Sequence, residues 1–185
     1  MSTEEPSSFL YCTASFRERL PLHMRLNFKV LDEMMKKLAS SAKRRLTMVS
    51  PYLSPAGFQL FREPFIQAAT AGAWIRLITG DLKNRGGLNW KSVNGVLGKA
   101  GDPLLRERLR VLTSKEHFCP LLHAKLIVVD GNAGYLGSAN LSASGLTHNF
   151  EIGVSQARRQ AAAIEQVIDY WESCEDLVDR TGEFR

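Results

Sequence analysis

The sequence HAKLIVVDGNAGYLGSAN, residues 123–140, combines an apolar strand pattern with polar residues on either side of it. The run 126–129 has no polar interruption, which is typical of a central strand that is buried on both faces. Asp130, Gly131 and Asn132 follow directly and favour a tight turn into a second strand. The segment therefore predicts a β-hairpin in the interior of a sheet.

The polar residues of this segment suit the cleavage of a phosphodiester. The imidazole of His123 can attack phosphorus, because a neutral ring nitrogen is a competent nucleophile near pH 7. Lys125 follows two positions later on the same strand face, where its charge would lie beside the phosphate oxygens. Asn140 and Ser138 are candidate hydrogen-bond donors to those oxygens, and Gly137 would permit close approach of the backbone. We interpret these residues as a catalytic and phosphate-binding cluster.

The reaction needs a second histidine. In-line displacement places the attacking group and the leaving oxygen on opposite sides of phosphorus, and the leaving oxygen requires a proton. The sequence holds one copy of the segment. A homodimer with its two-fold axis near the scissile phosphate would supply His123 twice, and the two rings would titrate as a pair.

The segment also matches the pattern H-x-K-x4-D-x6-G-S-x-N at every defined position, followed by Asn149 and Glu151. It thereby resembles the HKD motif of the phospholipase D superfamily, in the branch of short, single-motif, nuclease-like proteins. The resemblance covers residues 122–154, with Ser50-Pro51-Tyr52 as a weaker match. It implies a covalent phosphohistidine at His123, hydrolysis without a metal or other cofactor, and pairing of two chains.

Two acidic residues of the pattern are expected to have different roles. The resemblance assigns Glu151 a hydrogen bond to the far nitrogen of His123, which would fix the tautomer of the ring. The alternative for Glu151 is an ordinary solvent-facing strand residue. Asp130 is expected to be structural, because its place at the turn favours acceptance of backbone N–H groups over contact with substrate.

Three other groups of residues allow competing interpretations. His117, Cys119 and His123 could be zinc ligands, but their spacing matches no common structural pattern, and His148 is the only other downstream candidate, so no metal is predicted. Lys43, Arg44 and Arg45 either contact nucleic acid or close the preceding helix at its negative end. The segment 81–90, DLKNRGGLNW, is either a basic loop whose Trp90 stacks on a base or a surface loop with one anchoring tryptophan.

The whole chain predicts one α/β domain. It has 185 residues, a formal charge of +5 and a pI of about 9.3, which favours anionic partners. We expect a disordered tail at residues 1–8 and a catalytic domain at residues 9–185. Three scattered cysteines indicate a reducing, cytoplasmic compartment. The acidic start is unlike a secretory signal, and no apolar run approaches membrane-spanning length.

The fold class is α/β, with a mixed β-sheet covered by helices on both faces and the catalytic loops at one edge. Helices are predicted at residues 31–42, 55–71, 92–108 and through the stripe 161–171, with Gly72 as a terminator. The helical pattern of residues 92–108 is interrupted by Gly95, Gly98 and Gly101 and broken at Pro103. Strands are predicted at 46–50, 74–79 and 109–113, at the hairpin, and last at 150–154. Strand 46–50, the next helix and strand 74–79 would form a βαβ unit.

These observations favour a nuclease of low sequence specificity, since no separate DNA-reading domain is recognised. A phospholipid phosphodiesterase or transphosphatidylase is the first alternative, although no interfacial helix rich in basic and aromatic residues is apparent. A noncatalytic nucleic-acid-binding subunit is the second. Participation in a larger DNA-processing or defence assembly is compatible with each of these functions.

Overall fold

A computed structural model of the protein describes residues 9–98, 101–115 and 122–185. The predicted tail at residues 1–8 and the zinc candidates His117 and Cys119 lie outside the described residues. Within those ranges the strands are β1 (Leu10–Cys12), β2 (Phe28–Val30), β3 (Arg45–Ser50), β4 (Trp74–Thr79), β5 (Leu109–Ser114), β6 (Leu126–Val129), β7 (Ala133–Gly137), β8 (Ile152–Gln156) and β9 (Leu177–Asp179). The helices are α1 (Ala14–Arg17), α2 (Leu22–Arg25), α3 (Leu31–Ser40), α4 (Pro55–Gln59), α5 (Arg62–Thr70), α6 (Leu88–Leu97), α7 (Pro103–Arg108) and α8 (Arg158–Ser173).

The strands form one mixed sheet in the order β2-β1-β8-β7-β6-β3-β4-β5-β9. Strands β3, β4 and β5 run parallel, which confirms the βαβ unit. The predicted hairpin is confirmed as β6 and β7, which pair antiparallel from Leu126–Leu136 to Val129–Ala133. All four residues of β6 are buried, and β6 also pairs with β3. The hairpin therefore lies at the centre of the sheet, as the apolar run predicts.

Helices cover both faces of the sheet, which confirms the predicted layers. On one face, α3 to α7 bury a cluster that includes Met35, Phe58, Phe65, Val93 and Leu105 against β3, β4 and β6. On the other face, α8 packs its apolar stripe on Val49, Leu126 and Val128. Each layer removes an apolar strand face from water.

Two predicted helices are each divided in two. The expected helix 55–71 breaks between α4 and α5, because Pro64 lacks an N–H and fits only within the first turn of a helix. Gly72 follows α5 with φ +94°, a conformation that ends the helix as expected. The expected helix 92–108 begins earlier, at Leu88, and restarts at α7, where Asp102 accepts the N–H of Leu104 at 2.9 Å.

The prediction that residues 150–154 form the last strand is wrong. Strand β8 begins at Ile152, and β9 follows α8 and pairs antiparallel with β5 through Leu112 and Asp179. A strand of three residues such as Leu177–Asp179 is too short to show a periodic apolar pattern. Across the described ranges, the search for a helix long and apolar enough to cross a membrane finds none.

Candidate active site

The residues of the motif meet where β6 begins and β7 ends. The N–H of Gly137 donates to the carbonyl of Lys125 at 3.1 Å, and the N–H of Ser138 donates to the carbonyl of Ile152 at 3.0 Å. These two bonds extend the ladders of β6, β7 and β8 past their last strand residues. They bring His123, Lys125, Ser138 and Glu151 to one end of the sheet.

His123 and Lys125 form a close pair. The Nζ atom of Lys125 lies 3.2 Å from both ring nitrogens of His123 and donates to the carbonyl of His123 at 2.7 Å. His123 is exposed, whereas Lys125 is only 7% exposed. Burial lowers the pKa of Lys125 from its ordinary value, and the charge of Glu151 opposes that change. The arrangement holds a cation against an accessible imidazole.

Glu151 does not make the expected bond to His123 within this chain. Its carboxylate accepts the hydroxyl of Ser138 and, at 3.3 Å, the side-chain amide of Asn149. Ser138 is the nearer partner because the Ser138–Ile152 backbone pairing places its side chain beside Glu151; the N–H of Ile152 also donates to that hydroxyl at 3.1 Å. The hydroxyl of Ser138 is therefore occupied by Glu151 rather than directed to a ligand.

Asn140 lies in the turn after Ser138. Its Oδ1 is buried and has no hydrogen-bond partner within the described part of the chain. The next residue is fixed from two sides, since the N–H of Leu141 donates to the Oγ of Ser50 at 3.0 Å and its carbonyl accepts the N–H of Ser54 at 3.2 Å. The backbone hydrogen bonds of Leu141 thus fix the position of Asn140, and they do not involve the side-chain amide of Asn140.

Gly137 is required by the packing of a core side chain, a reason that the sequence did not reveal. A Cβ at Gly137 would lie 2.5 Å from Cζ of Tyr135 and 2.8 Å from the carbonyl of Ile152. The ring of Tyr135 is fully buried and lies across Gly137 and Gly153. Close approach of the backbone is therefore required here, but by a core tyrosine.

Asp130 lies at the other end of β6 from Lys125, roughly 16 Å away at the usual rise of a strand. Its carboxylate accepts the backbone N–H groups of Lys43, Arg44 and Arg45 at 3.0, 2.8 and 2.8 Å. These donors come from the connection before β3 and from the first residue of β3 rather than from the hairpin turn itself. Asp130 ties that connection to the hairpin and has φ +55°.

This geometry bears on the two interpretations of residues 43–45, which were contact with nucleic acid and closure of the preceding helix. Helix α3 ends at Ser40, so the basic run does not close it. Arg45 begins β3 and pairs with Glu165 at 2.8 Å. The run lies at the Asp130 end of the sheet, away from His123.

Trp90 is an anchor rather than an exposed stacking residue. It belongs to α6 and not to a loop, and its ring lies 4.3 Å from that of Phe184. Arg85 lies over the same ring at 5.2 Å. Of the two interpretations of residues 81–90, the anchoring tryptophan is the one that fits these contacts.

A cleft of about 800 Å³ adjoins Asn140 and was not predicted. It is lined mainly by three segments, residues 52–54, the residues Asp81 and Gly87–Asn89, and the turn 140–149. Tyr52, from the weaker match Ser50-Pro51-Tyr52, lies in one wall of the cleft. No pattern in the sequence links that wall to Asp81 or Leu88. His148 also lines the cleft, and no group of three potential metal ligands occurs among the residues with described positions.

The chain is similar to known proteins over most of its length. The family model described as cardiolipin synthase, PLD-like domain, matches residues 35–173. Cardiolipin synthase 2 of Staphylococcus epidermidis is 27% identical over 132 residues, 68% of this chain and 25% of the relative, so the chain spans about a quarter of that protein's length.

Two solved structures show the same fold. Nuc from Salmonella typhimurium, described as a phospholipase D family member, superposes with a TM-score of 0.65 at 17% identity, over 95% of this chain and 98% of Nuc. Phosphatidylserine synthase from Haemophilus influenzae superposes with a TM-score of 0.65 at 15% identity, over 95% of this chain and 40% of the synthase. This chain therefore matches Nuc along almost its whole length.

Proposed function

The chain belongs to the phospholipase D-like family, and we propose that it is a phosphodiesterase that hydrolyses nucleic acid without a metal ion and with little sequence specificity. The observation that carries the proposal is the exposed imidazole of His123 held against the buried ammonium of Lys125. A nucleophile that solvent can reach beside a fixed cation is suited to attack on an anionic ester.

The proposed reaction has two steps. A ring nitrogen of His123 attacks phosphorus, the P–N bond forms, and the P–O bond to the leaving group breaks. The imidazolium of His123 in a second copy donates its proton to the departing oxygen. Water then attacks phosphorus while the second imidazole takes its proton, the P–N bond breaks, and both rings return to their initial states.

Three residues would support these steps. Lys125 places positive charge beside the equatorial oxygens, where negative charge accumulates. Asn140 lines the adjoining cleft, and its Nδ2 would donate to the same oxygens. Glu151 would orient the site through Ser138 and stabilise the charge of Lys125.

A homodimer would complete the site. Leu136, Phe150 and Ile152 are apolar and exposed, and they lie next to Ser138 and Glu151 in the chain. Burying such residues against a second copy would bring the two sites together around one phosphate. The dimer is thus a proposal that the single motif requires and that this exposed surface supports.

Nucleic acid is the proposed substrate because a formal charge of +5 attracts a polyanion. The direct test incubates the protein with single- and double-stranded DNA and RNA in EDTA. Cleavage is expected to persist in the chelator and to disappear in His123→Ala. Cleavage that requires added Mg²⁺ would contradict the proposal, and salt-sensitive binding without product at any pH would indicate a noncatalytic binding subunit.

Mixed dimers test whether the site is shared. Wild-type and His123→Ala chains carrying different affinity tags can be co-expressed and the heterodimer purified by both tags. Each heterodimer has one imidazole in place of two, so its turnover should be no more than a trace. Half the wild-type activity would mean that one subunit is sufficient.

A phospholipid phosphodiesterase or transphosphatidylase is the second candidate, because the matching relative is named cardiolipin synthase 2. The chemistry at His123 would be unchanged, and only the leaving and accepting groups would differ. Turnover of phosphatidylglycerol vesicles that exceeds turnover of nucleic acid would favour this candidate. A cytoplasmic location and a place in a larger DNA-processing or defence assembly stay predictions.

A further inference from the structure

We propose that the cleft beside Asn140 binds the nucleoside attached to the scissile phosphate, with Tyr52 stacking on the base and Asp81 accepting a hydrogen bond from the nucleoside. The inference rests on the proposed function and assigns to it two substrate-contacting residues and one positioning residue, Asn89. None of the three belongs to the motif at residues 123–140.

The cleft presents apolar surface that the core does not use. Tyr52 is 58% exposed and Leu88 is 60% exposed, although most large apolar side chains near them are buried. Both side chains line the cleft next to Asn140. An exposed aromatic ring beside a phosphate site is suited to stack on a base, because every base offers a π face.

Asn89 fixes the two walls relative to each other. It is only 7% exposed, and its Nδ2 donates to the carbonyl of Pro51 at 2.9 Å and to the carbonyl of Gly80 at 2.5 Å. Its Oδ1 accepts the N–H of Leu53 at 2.7 Å. The three bonds hold the residues on either side of Tyr52 and the residue before Asp81, so the spacing between these two side chains is set before a ligand binds.

Ser50 connects this wall to the catalytic cluster. Its hydroxyl is buried, donates to the carbonyl of Tyr52 at 2.8 Å and accepts the N–H of Leu141 at 3.0 Å. Ser54 repeats the link, since its Oγ accepts the N–H of Ala143 at 2.9 Å. Tyr52 and Asn140 therefore belong to one rigid assembly, and a ligand in the cleft is continuous with a phosphate at Asn140.

Asp81 selects the chemistry of the ligand. It lines the cleft with φ +30°, a left-handed conformation that is unfavourable for most residues and that Asp tolerates better than most. Its carboxylate would be a poor neighbour for an acyl chain, but it can accept a bond from a hydroxyl or a ring N–H. Together with Ser142 and Ser144 on the same cleft, this favours a nucleoside.

The test uses substrates that differ only in the group attached to one side of phosphorus. Thymidine 5′- and 3′-(p-nitrophenyl phosphate) and methyl p-nitrophenyl phosphate share a leaving group, and the product is read by absorbance. Wild-type protein should prefer one thymidine ester over the methyl ester in kcat/KM. Tyr52→Ala should reduce that preference by about fivefold or more, the low end of what one stacked base contributes, and should leave methyl ester hydrolysis unchanged.

Matched variants separate the roles. Tyr52→Phe keeps the ring and should keep the preference, and Tyr170→Ala removes an exposed tyrosine on α8 and should change nothing. Asp81→Asn removes the charge while tolerating the same backbone conformation, and it should reduce the preference through KM rather than kcat. Asn89→Ala should lower the preference as well, together with the melting temperature.

The outcomes distinguish this inference from the proposed function. If no ester is hydrolysed by wild-type protein, the proposed function fails. If the methyl ester is hydrolysed with no preference for thymidine, or if Tyr52→Ala slows both esters equally, the inference fails alone. A preference for glyceryl p-nitrophenyl phosphate over both thymidine esters that depends on Tyr52 would overturn it in favour of a glycerol headgroup.

Discussion

The two ends of the β6–β7 hairpin use their polar groups in opposite ways. At the Asp130 end, one carboxylate accepts three backbone N–H groups and joins the hairpin to the start of β3. At the His123 end, an exposed imidazole lies against a buried ammonium, and the Oδ1 of Asn140 has no partner among the described residues. One end satisfies its groups internally, and the other keeps the imidazole of His123 accessible to a ligand.

This difference follows from the cost of polar burial. Hydrogen bonds that satisfy buried donors stabilise the fold, whereas an ammonium taken out of water without a carboxylate bond destabilises it. A phosphate would supply an anionic partner for the Lys125 ammonium at the His123 end. The comparison therefore predicts that the polar groups at the His123 end control activity and that the carboxylate at the Asp130 end controls stability.

The largest expected effect is the loss of activity in His123→Ala. Removal of a nucleophile should lower kcat by about 10⁴-fold or more, while the melting temperature stays within a degree or two of wild type because the ring is exposed. His23→Ala, at another exposed histidine on α2, is the control and should retain full activity. Comparable activity in both variants would exclude His123 as the nucleophile.

Asp130→Ala should reverse this pattern. Three N–H groups lose their acceptor, so the free energy of unfolding should fall by about 2–4 kcal/mol, measured by urea denaturation. The activity of the folded fraction should be unchanged, because Asp130 lies at the far end of β6. A loss of kcat without a loss of stability would place Asp130 in the reaction instead.

The same residue predicts a dependence on pH. Burial raises the pKa of Asp130, but the N–H groups of Arg45, Lys43 and Arg44 lower it by more, so the folded value lies below the ordinary one. The stabilisation is therefore present above the unfolded pKa of about 3.9 and is lost as pH falls through the folded value. Urea midpoints below pH 4 should fall more steeply for wild type than for Asp130→Asn.

Gly137→Ala should give a smaller loss of stability. The added Cβ would overlap the ring of Tyr135, and overpacking of this kind costs about 1–3 kcal/mol. Tyr135→Phe removes the hydroxyl and should restore part of the loss in the double variant. Equal stability of Gly137→Ala and wild type would show that the ring moves at no cost.

The smallest effect is expected for Lys125→Arg, which keeps the charge. Because burial lowers the pKa of Lys125 below 10.5, the wild-type rate should fall at alkaline pH before an ordinary lysine would titrate. The arginine variant should lose about tenfold at pH 7, equal to about 1.4 kcal/mol, and should lack this alkaline decline. An unchanged alkaline limb would assign it to another group.

Local sequence patterns predicted some elements of the fold and missed others. The central strands and helices α3 and α8 follow from apolar periodicity, and the structure confirms them. The interruption at Gly98 was predicted, and α6 ends at Leu97. The division at Pro64 was missed, as was the short strand β9, because three residues carry too little pattern to identify an element. Strand β9 forms because β5 offers an unpaired edge, which is a property of the assembled sheet.

Some features of the candidate site were likewise predicted from the sequence, and others were not. The grouping of His123, Lys125 and Asn140 was predicted because these residues lie within one hairpin, where spacing along the chain sets spacing in the structure. The partner of Glu151 was not predicted, because the pairing of β7 with β8 brings Ser138 beside it. The reason for Gly137 was not predicted either, since it depends on where the ring of Tyr135 lies.

The sequence by itself determined the central hairpin, the α/β class and the identity of the residues proposed for phosphate chemistry. Only the tertiary structure decided that Asp130 fastens the start of β3 and that Tyr52, Asp81 and Asn89 line one cleft beside Asn140. The physical reason is the range of the interactions. Periodicity and turn chemistry act between near neighbours, whereas strand order and buried hydrogen bonds join residues that are dozens of positions apart.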